Sequence, residues 1–228
     1  MISTLIIDDD INYIKYFINN IINQMNEIRI SYIITDGKAA IDIIEKNTLD
    51  LIVIDLKMPN ITGIEVIEKI KSMNLINLPK IVVISGELDL MYCAKNNYII
   101  SDIIYKNTDS KVIKNKLRKI INDIQMSINL ENIKNEIVKK LINFGYNFKY
   151  KGTQYIYQSI LYIYESNNMD LVENLEKNVY KYIAYKYSKS ILNIKTNIIN
   201  STRLIQGKNE TITPKFVITD ILVNLTNV

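Results

Sequence analysis

The sequence predicts an α/β domain followed by an all-helical domain. In the first half of the 228-residue chain, short apolar runs alternate with longer segments in which apolar residues recur every three or four positions. After residue 130 the short runs disappear and only the helical spacing remains. Runs rich in Ile, Val and Leu are typical of strands buried on both faces, as in a parallel sheet with helices on both sides. We therefore predict a domain at 1–125, a short linker at 126–131 and a second domain at 132–228.

The first domain is predicted as five successive pairs of strand and helix. Its strands are expected near 3–8, 28–34, 50–55, 80–85 and 101–105. Its helices are expected near 11–24, 37–46, 61–73, 88–97 and 110–126. Ligand sites in such sheets lie at the carboxyl ends of the strands, where the strand order reverses. Residues that follow these five apolar runs are therefore the first candidates for function.

The second domain is predicted to contain six helical segments. They are expected near 132–144, 154–165, 170–175, 177–187, 190–206 and 214–226. Gly145, Gly152 and Gly207 interrupt the pattern, and Thr213-Pro214 is a typical helix start, with Thr as N-cap and Pro at the first helical position. The linker contains neither Pro nor Gly, so the last helix of the first domain can continue into it.

The composition excludes several classes of site. The chain has no histidine and one cysteine, which excludes histidine-dependent triads, zinc sites and an internal disulfide. Cys93 falls in a predicted helix, where a semi-buried packing position is expected. No apolar run approaches the ~18 residues of a membrane span, and the first residues lack the features of a signal peptide. We expect a cytoplasmic protein with no membrane partner.

Charge is unevenly divided along the chain. Residues 1–130 hold 15 basic and 16 acidic side chains, whereas residues 131–228 hold 13 and 8, a net charge of +5. An excess of this size permits contact with nucleic acid without requiring it.

Asp55 is the strongest candidate for chemistry. It closes the apolar run 51–54 and is followed by a segment with Pro59, Asn60 and Gly63 that turns the chain into the next predicted helix. A carboxylate at the carboxyl end of a buried strand is held by the sheet and open to solvent, and the turn leaves room above it. The pattern predicts a phosphoryl acceptor.

Other strands end in polar residues that suit the same chemistry. These residues are Asp8 with Asp9, Ser85 with Gly86, and Lys106. Mg²⁺ prefers hard oxygen ligands and commonly takes one or two carboxylates together with water and phosphate oxygens. We expect Asp9 and Asp55 to bind Mg²⁺ directly, and Asp8 to act through water. The backbone carbonyl of Lys57 is expected to complete the ligands from the protein.

Phosphoryl transfer needs positioning and neutralisation of charge more than covalent help from the protein. Lys106 suits the neutralising role, Ser85 supplies a hydroxyl, and the small Gly86 leaves space for the phosphoryl group. Each residue alone has an ordinary alternative, because strand-end carboxylates are often only solvated, Ser85 fits a turn and Lys106 fits a surface. Their joint occurrence at strand ends favours a site. Asp10, by contrast, is interpreted as a helix N-cap.

Residues 1 to about 125 resemble the receiver domain of two-component response regulators. The acid pair, the acceptor, Met58-Pro59 with Gly63, the hydroxyl and the lysine occur in that family's order and spacing. The resemblance implies a flavodoxin-like fold with strand order 2-1-3-4-5. It also implies phosphorylation of Asp55 by a histidine kinase or a phosphotransfer protein, and a homodimer on phosphorylation. Such a chain is not an enzyme beyond slow autodephosphorylation.

Two positions depart from the receiver pattern. Asn107 stands where a proline usually follows the lysine, and Ile103 stands where receivers usually carry a Tyr or Phe that reorients on activation. These departures concern the conformational switch, not the chemistry of the acceptor.

Residues 136–225 resemble the helical effector domain of the stage 0 sporulation protein A family. The matching residues are Lys151-Gly152-x-x-Tyr155, Val179-Tyr180, Ile183-Ala184, Lys186-Tyr187, and Thr213 with Phe216. The resemblance implies a helix-turn-helix-type domain that binds double-stranded DNA and regulates transcription in sporulation.

The stretch that aligns with that family's recognition helix has a different composition. The family's Glu-Arg pair aligns with Lys195-Thr196, and its next Arg aligns with Ile199. Polar residues remain, and the candidate DNA-binding residues are Lys189, Asn193, Lys195, Thr196, Asn197, Asn200 and Arg203. Asn can read adenine in the major groove, and Lys and Arg can neutralise phosphates. Two functions stay open: a phosphorylation-controlled transcription factor, which we favour, and a receiver whose helical domain binds protein or serves as a phosphate sink.

Overall fold

The computed structural model describes residues 1–73, 75, 77–205 and 212–226. The chain divides into two compact units, Met1–Ile128 and Asn129–Val228. The first unit has an apolar core on each face of its sheet, and the second unit has a core of its own.

The first unit contains a five-stranded parallel sheet in the order β2-β1-β3-β4-β5. Its strands are β1 Ile2–Ile7, β2 Ile28–Ile34, β3 Leu51–Ile54, β4 Lys80–Ser85 and β5 Ile100–Tyr105. Its helices are α1 Ile11–Asn20, α2 Gly37–Lys46, α3 Gly63–Ser72, α4 Leu88–Ala94 and α5 Ser110–Asn143. A 3-10 turn at Ile22–Gln24 follows α1. The predicted α/β class and strand order are confirmed.

Strand β3 shows why the apolar runs are continuous. All four of its residues are buried, and successive residues point to opposite faces of the sheet. Val53 belongs to the same core as Phe17 of α1, whereas Ile54 belongs to the other core, with Ile67 of α3. A central strand that is covered on both faces needs apolar residues at every position.

Helix α5 is continuous from Ser110 to Asn143. Residues 126–131, where we expected a linker, are helical, because no proline removes a backbone donor there and no glycine favours another conformation. The first part of α5 contributes Ile113 and Leu117 to a core of the first unit. The second part contributes Ile137 and Leu141 to the core of the second unit. Placing the domain boundary at this point of the chain stays a proposal.

Among the residues that the structure describes, the second unit contains helices and turns but no strand, as predicted. Besides the end of α5 it contains α6 Lys151–Ser166, α7 Lys181–Lys186, α8 Ile191–Ile205 and α9 Pro214–Thr226. A 3-10 turn at Met169–Val172 follows α6, and a π-helical turn at Glu176–Tyr180 leads directly into α7. Gly207, which we predicted to interrupt the helical pattern, lies outside the described residues.

Gly152 brings the first turn of α6 directly onto α8. A Cβ built on Gly152 would lie 2.0 Å from the carbonyl oxygen of Asn197 and 2.3 Å from Oγ of Ser201. A residue with a Cβ could not occupy this position without movement of the backbone. Helices α6 and α8 can therefore approach this closely only because the residue after Lys151 is a glycine.

Helix starts follow the predicted chemistry. The Oγ1 of Thr213 accepts the N–H of Phe216 at 3.1 Å, and Pro214 is the first residue of α9. Asp10 caps α1, since its carboxylate accepts the N–H groups of Asn12 and Tyr13. Both N-cap predictions are confirmed.

Cys93 of α4 is exposed, so the prediction of a semi-buried position is wrong. The next residue, Ala94, is the buried residue of this seven-residue helix, and a neighbour along a helix points in a different direction. Among the described helices, none is both long and apolar enough to cross a membrane.

Candidate functional site

The sheet's hydrogen-bond ladder extends past the strands and holds the first residue after each. The Asp55 N–H donates to the carbonyl of Ile7 at 2.8 Å, and the Lys106 N–H donates to the carbonyl of Ser85 at 2.9 Å. The Asp8 N–H donates to the carbonyl of Ile34 at 3.1 Å. Backbone bonds of this kind fix the direction in which each side chain leaves the sheet. Polar residues from separate parts of the chain therefore meet at one edge.

The ammonium group of Lys106 joins the two buried carboxylates at this edge. Its Nζ lies 2.7 Å from Oδ2 of Asp55 and 2.8 Å from Oδ2 of Asp8. Asp8 and Asp55 are only 4% and 5% exposed, so both charges need partners, because burial of an unpaired charge is strongly unfavourable. Lys106 provides that partner for both.

The charges shift the ionisation of this cluster. Burial lowers the pKa of Lys106, but its bonds to Asp55 and Asp8 raise it more, and the pKa is raised overall. Burial raises the pKa of Asp8 above its ordinary value of 3.8, and the bond from Lys106 offsets only part of that rise. Lys106 is therefore charged at neutral pH, and its charge favours the ionised form of Asp8.

The turn after β3 holds the Asp55 carboxylate. Its Oδ1 accepts the N–H of Leu56 at 2.6 Å and that of Lys57 at 3.3 Å. The turn closes through Asn60, which has a left-handed φ of 67°, a conformation that Asn tolerates better than most residues with a side chain. Thr62 and Glu65 then form a capping box that begins α3.

Three carboxylates at this edge fit a divalent cation. One oxygen each of Asp8, Asp9 and Asp55 lies within 4.8 Å of the others. These are hard oxygen ligands of the kind Mg²⁺ prefers, and Asp9 is exposed. Asp9 and Asp55 line an open cleft of about 490 Å³, together with Asp10, Lys57, Met58, Pro59, Gly86, Glu87 and Lys106. The donor set and the free space both suit a hydrated cation.

Of the remaining predicted residues, Gly86 and Lys57 line the same cleft, and Ser85 directly precedes Gly86. Ser85 is fully buried, and its hydroxyl oxygen accepts the N–H of Glu87 at 3.4 Å. A Cβ built on Gly86 would meet nothing within 4 Å. The backbone of Lys57 lies beside Asp55 through the 3.3 Å contact above, and its role as a carbonyl ligand stays a prediction.

Sequence reasoning missed two side chains near the cluster. The Tyr13 ring of α1 lies beneath the Lys106 ammonium group, with Nζ 4.6 Å from the ring centroid. Glu87 accepts a 2.5 Å hydrogen bond from Nζ of Lys57, which links the loop after β3 to the loop after β4. The position of Tyr13 near the site could have been predicted from the sequence, because Tyr13 lies four residues after Asp9, in the first turn of a helix that starts at the same sheet edge. Glu87 gave no comparable signal.

The second candidate site is the exposed face of α8. Asn193, Thr196, Asn200 and Arg203 are exposed on it, and Lys189 is exposed in the preceding turn. That turn contains Ser188 in a left-handed conformation, with φ of 51°. The Oγ of Ser190 then accepts the N–H of Asn193 at 3.1 Å, as an N-cap would.

Two of the predicted DNA-binding residues are not displayed on that face. The Asn197 amide donates to the carbonyl oxygen of Asn193 at 2.8 Å and to its Oδ1 at 3.2 Å, and Asn197 is half-buried. Lys195 pairs with Glu176 at 2.6 Å. The predicted residues Asn193, Asn197 and Asn200 therefore do not form one free polar surface. Sequence reasoning also missed Leu192, which is 72% exposed in the first turn of α8.

Comparisons with known proteins agree with the geometry of the first unit. Residues 4–118 match the family model described as the response regulator receiver domain. The response regulator ArlR of Staphylococcus saprophyticus is 29% identical over 141 residues, which cover 61% of this chain and 61% of ArlR, less than two thirds of its length. Sporulation initiation phosphotransferase F of Bacillus subtilis is 32% identical over 92 residues, which cover 40% of this chain and 71% of that protein.

One solved structure can be set beside these relatives. The response regulatory domain of MrkE from Klebsiella pneumoniae has a TM-score of 0.49 and 21% sequence identity, and the match covers 54% of this chain and 98% of that one.

Proposed function

The chain belongs to the response regulator receiver family, and on that premise we propose that Asp55 accepts a phosphoryl group from a phosphohistidine. The donor would be a histidine kinase or a phosphotransfer protein. The observation that carries the proposal is the contact of Lys106 with Asp55 and Asp8, at 2.7 and 2.8 Å, beside a cluster of three carboxylates that suits Mg²⁺.

The residues of the cluster have distinct roles in this proposal. A carboxylate oxygen of Asp55 forms the new P–O bond as the P–N bond to the donor histidine breaks, and the electron pair returns to the imidazole. Asp8, Asp9, Asp55 and the Lys57 carbonyl would hold Mg²⁺, which supplies neutralisation of the charge on the phosphoryl oxygens.

Lys106 and Ser85 act after the transfer in this scheme. The phosphoryl group adds about −1.5 to −2 charges at Asp55, and Lys106, already bonded to that residue, is the cation in place to pair with it. Ser85 would donate its hydroxyl hydrogen to a phosphoryl oxygen. In the present structure the Ser85 hydroxyl oxygen accepts a 3.4 Å bond from the N–H of Glu87, which leaves the hydroxyl hydrogen available. The chain is then a phosphoryl receiver whose only reaction on its own is slow autodephosphorylation.

Mass spectrometry after treatment with acetyl phosphate and Mg²⁺ tests the acceptor. The full-length chain should gain one phosphoryl adduct, and Asp55→Ala should gain none. Asp36→Ala is the matched control, because Asp36 is a carboxylate that caps α2 and should not affect labelling. Full labelling of the Asp55→Ala variant would refute the proposal.

For the second unit, we propose phosphorylation-controlled binding of double-stranded DNA through α8. The support is an exposed helix that follows a helical segment and a tight turn, within a region of net charge +5. The likeness to the sporulation regulators rests on the residues of the sequence alone. Because Asn197 bonds to Asn193 and Lys195 pairs with Glu176, readout falls to Leu192, Asn193, Thr196, Asn200 and Arg203. We therefore expect weak binding with relaxed sequence preference.

A gel-shift titration of the full-length chain with an AT-rich duplex tests this part. Binding should fall steeply as salt rises, because contacts with phosphates release counterions. Replacing Lys189 by Ala should weaken binding to all sequences alike and lower the salt slope by about 1. Lys215→Ala is the matched control, since Lys215 lies on α9 beside the Glu173 carbonyl. If no duplex shifts at micromolar concentration, a protein-binding domain or a phosphate sink replaces this proposal.

We also propose that phosphorylation favours a homodimer. The support is an exposed apolar surface on α4, where Leu88 and Tyr92 are 64% and 78% exposed beside a cleft that includes Ile103 of β5. Light scattering with beryllofluoride and Mg²⁺ should show a rise in mass. The rise should be smaller for Tyr92→Ala, and an unchanged monomer mass at high concentration would contradict the dimer.

A further inference from the structure

The aromatic ring of Tyr13 lies against the Lys106 ammonium group. Lys106 Nζ is 4.6 Å from the ring centroid, within the range in which a cation is attracted to the face of an aromatic ring. The same nitrogen is bonded to Asp55 and Asp8. The lysine is therefore held by two carboxylates and one ring.

Tyr13 is itself held firmly in this place. Its backbone N–H donates to the capping carboxylate of Asp10 at 3.0 Å. Its ring lies parallel to that of Phe17, with a centroid distance of 6.2 Å and an interplanar angle of 20°. Since Phe17 is buried in the core, the ring has a rigid support. The cation contact is thus built into α1.

The hydroxyl of Tyr13 does not explain why a tyrosine occupies this position. It is buried and has no hydrogen-bond partner among the residues that the structure describes. An unpaired buried hydroxyl is unfavourable, so the hydroxyl gives no reason for a Tyr here. The polar contact that Tyr13 makes at this site is through the face of its ring, toward Lys106.

Lys106 and a divalent cation need two of the same carboxylates. Lys106 bonds to Asp8 and Asp55, and both belong to the trio of carboxylates that suits Mg²⁺. An interaction that stabilises the lysine between these carboxylates must therefore weaken the competing cation, because a ligand shifts an equilibrium only by its differential affinity for the two states.

We propose that Tyr13 is a positioning residue that holds Lys106 between Asp8 and Asp55 and thereby lowers the affinity of the unphosphorylated site for Mg²⁺. The proposal rests on the proposed metal site. On this proposal a residue of α1 affects Mg²⁺ binding, although it is not one of the carboxylates, the hydroxyl or the lysine of the predicted site.

Isothermal titration of the full-length chain with MgCl₂ tests the competition. Tyr13→Leu, which removes the ring, should bind Mg²⁺ about two- to fivefold more tightly, the size expected for loss of one cation–π contact. Tyr13→Phe keeps the ring and should match the wild type. Tyr16→Leu is the matched control, because Tyr16 lies on the same helix and is exposed, and its ring centroid is 6.0 Å from that of Tyr13.

A double-mutant cycle separates this effect from a general disturbance of the site. In a Lys106→Met background, Tyr13→Leu should no longer change the Mg²⁺ affinity, because the group that the ring holds is gone. An equal gain in both backgrounds, or no gain in either, overturns the proposal. Absence of Mg²⁺ binding by the wild type would instead remove the proposed metal site.

Nuclear magnetic resonance of the lysine side chains gives a readout that does not depend on the metal. The Hε protons of Lys106 should be shifted upfield by the ring current in the wild type and in Tyr13→Phe. That shift should be absent in Tyr13→Leu. A Lys106 signal at the ordinary position in the wild type overturns the positioning role, whatever the site does with Mg²⁺.

Discussion

Gly63 lies directly against the backbone of Asp55. A Cβ built on Gly63 would lie 2.1 Å from the carbonyl oxygen of Asp55 and 2.9 Å from Cα of Leu56. The Gly63 N–H also donates to the carbonyl of Leu56 at 2.9 Å. The first residue of α3 therefore packs directly against the turn that contains the acceptor carboxylate.

Replacing Gly63 by Ala should lower the free energy of unfolding by about 1–3 kcal/mol, the usual range for overpacking. The methyl group can be accommodated only by moving the turn after β3, so Mg²⁺ affinity should fall as well. Urea unfolding and metal titration measure the two effects. Gly86→Ala is the control, because its Cβ meets nothing within 4 Å and stability should change by less than about 0.5 kcal/mol. Equal effects of the two substitutions would contradict the explanation.

Replacing Asp8 by Asn should change stability in a way that depends on pH. The folded-state pKa of Asp8 is raised above its ordinary value of 3.8, mainly by burial. The folded protein therefore binds this proton more tightly than the unfolded chain does. Its contribution to stability is fully present below pH 3.8 and is lost as the pH rises through the folded-state pKa.

The Asn side chain does not titrate, so that loss is absent from the variant. The free energy of unfolding of Asp8→Asn, minus that of the wild type, should therefore be larger at pH 7 than at pH 3, so the variant gains stability relative to the wild type as the pH rises. Urea unfolding at both pH values without added Mg²⁺ measures this difference. A difference that is the same at the two pH values would show that the burial of Asp8 does not perturb its ionisation.

Gly152→Ala should destabilise the second unit. The added Cβ would lie 2.0 Å from the carbonyl oxygen of Asn197, and neither helix backbone can yield easily. We expect a loss of about 1–3 kcal/mol, together with weaker DNA binding because α8 is displaced. Lys151→Ala, at the exposed neighbouring position, should leave stability within about 0.5 kcal/mol. Thermal unfolding followed by circular dichroism compares the two variants.

Leu192 should contact thymine if α8 enters the major groove. It is 72% exposed in the first turn of the helix, and the first residues of a recognition helix are those that meet base edges. Apolar side chains there contact the thymine methyl group.

Replacing thymine by uracil in an AT-rich duplex should therefore weaken wild-type binding by about fourfold, the value of one buried methyl group. The substitution of uracil should have no effect on Leu192→Ala. Leu204→Ala is the control, because Leu204 is 62% exposed at the other end of α8 and should respond to uracil as the wild type does. If all three proteins bind the thymine and uracil duplexes with equal affinity, the contact of Leu192 with thymine is refuted, whereas the proposed DNA binding is not.

The positions of the acidic residues could be predicted because strand ends are visible in the sequence. Asp8, Asp55 and Lys106 each follow a continuous apolar run, and parallel strands place such residues at one edge of the sheet. What the sequence did not contain was the direction of each side chain. The ion pair of Lys195 with Glu176 depends on how α8 packs beside the turn at Glu176–Tyr180, and helical spacing does not predict that packing. The bond of Asn197 to Asn193 lies within α8, four residues apart, so the spacing permits this bond but does not show that the amide is used for it.

Helix α5 and Tyr13 show what local patterns predict and what they do not. The linker expected at 126–131 contains neither Pro nor Gly, so the sequence allows the last helix of the first domain to continue through it, as α5 does. Composition ends a helix only where it supplies a residue that disfavours helical backbone. Tyr13 was not singled out because an aromatic residue in a helix next to a sheet is usually a core residue. Its contact with Lys106 depends on the way α1 packs beside the carboxyl end of β1.

The exposed thiol of α4 has a practical consequence. Cys93 is the only cysteine of the chain and is accessible to solvent, so a maleimide spin label or fluorophore would attach at a single known position without any engineered substitution. That position is on the helix whose outer surface we propose to be buried in the dimer. Distances between labels of two copies would report assembly directly, and the same label on the monomer would report motion of α4 when beryllofluoride is added.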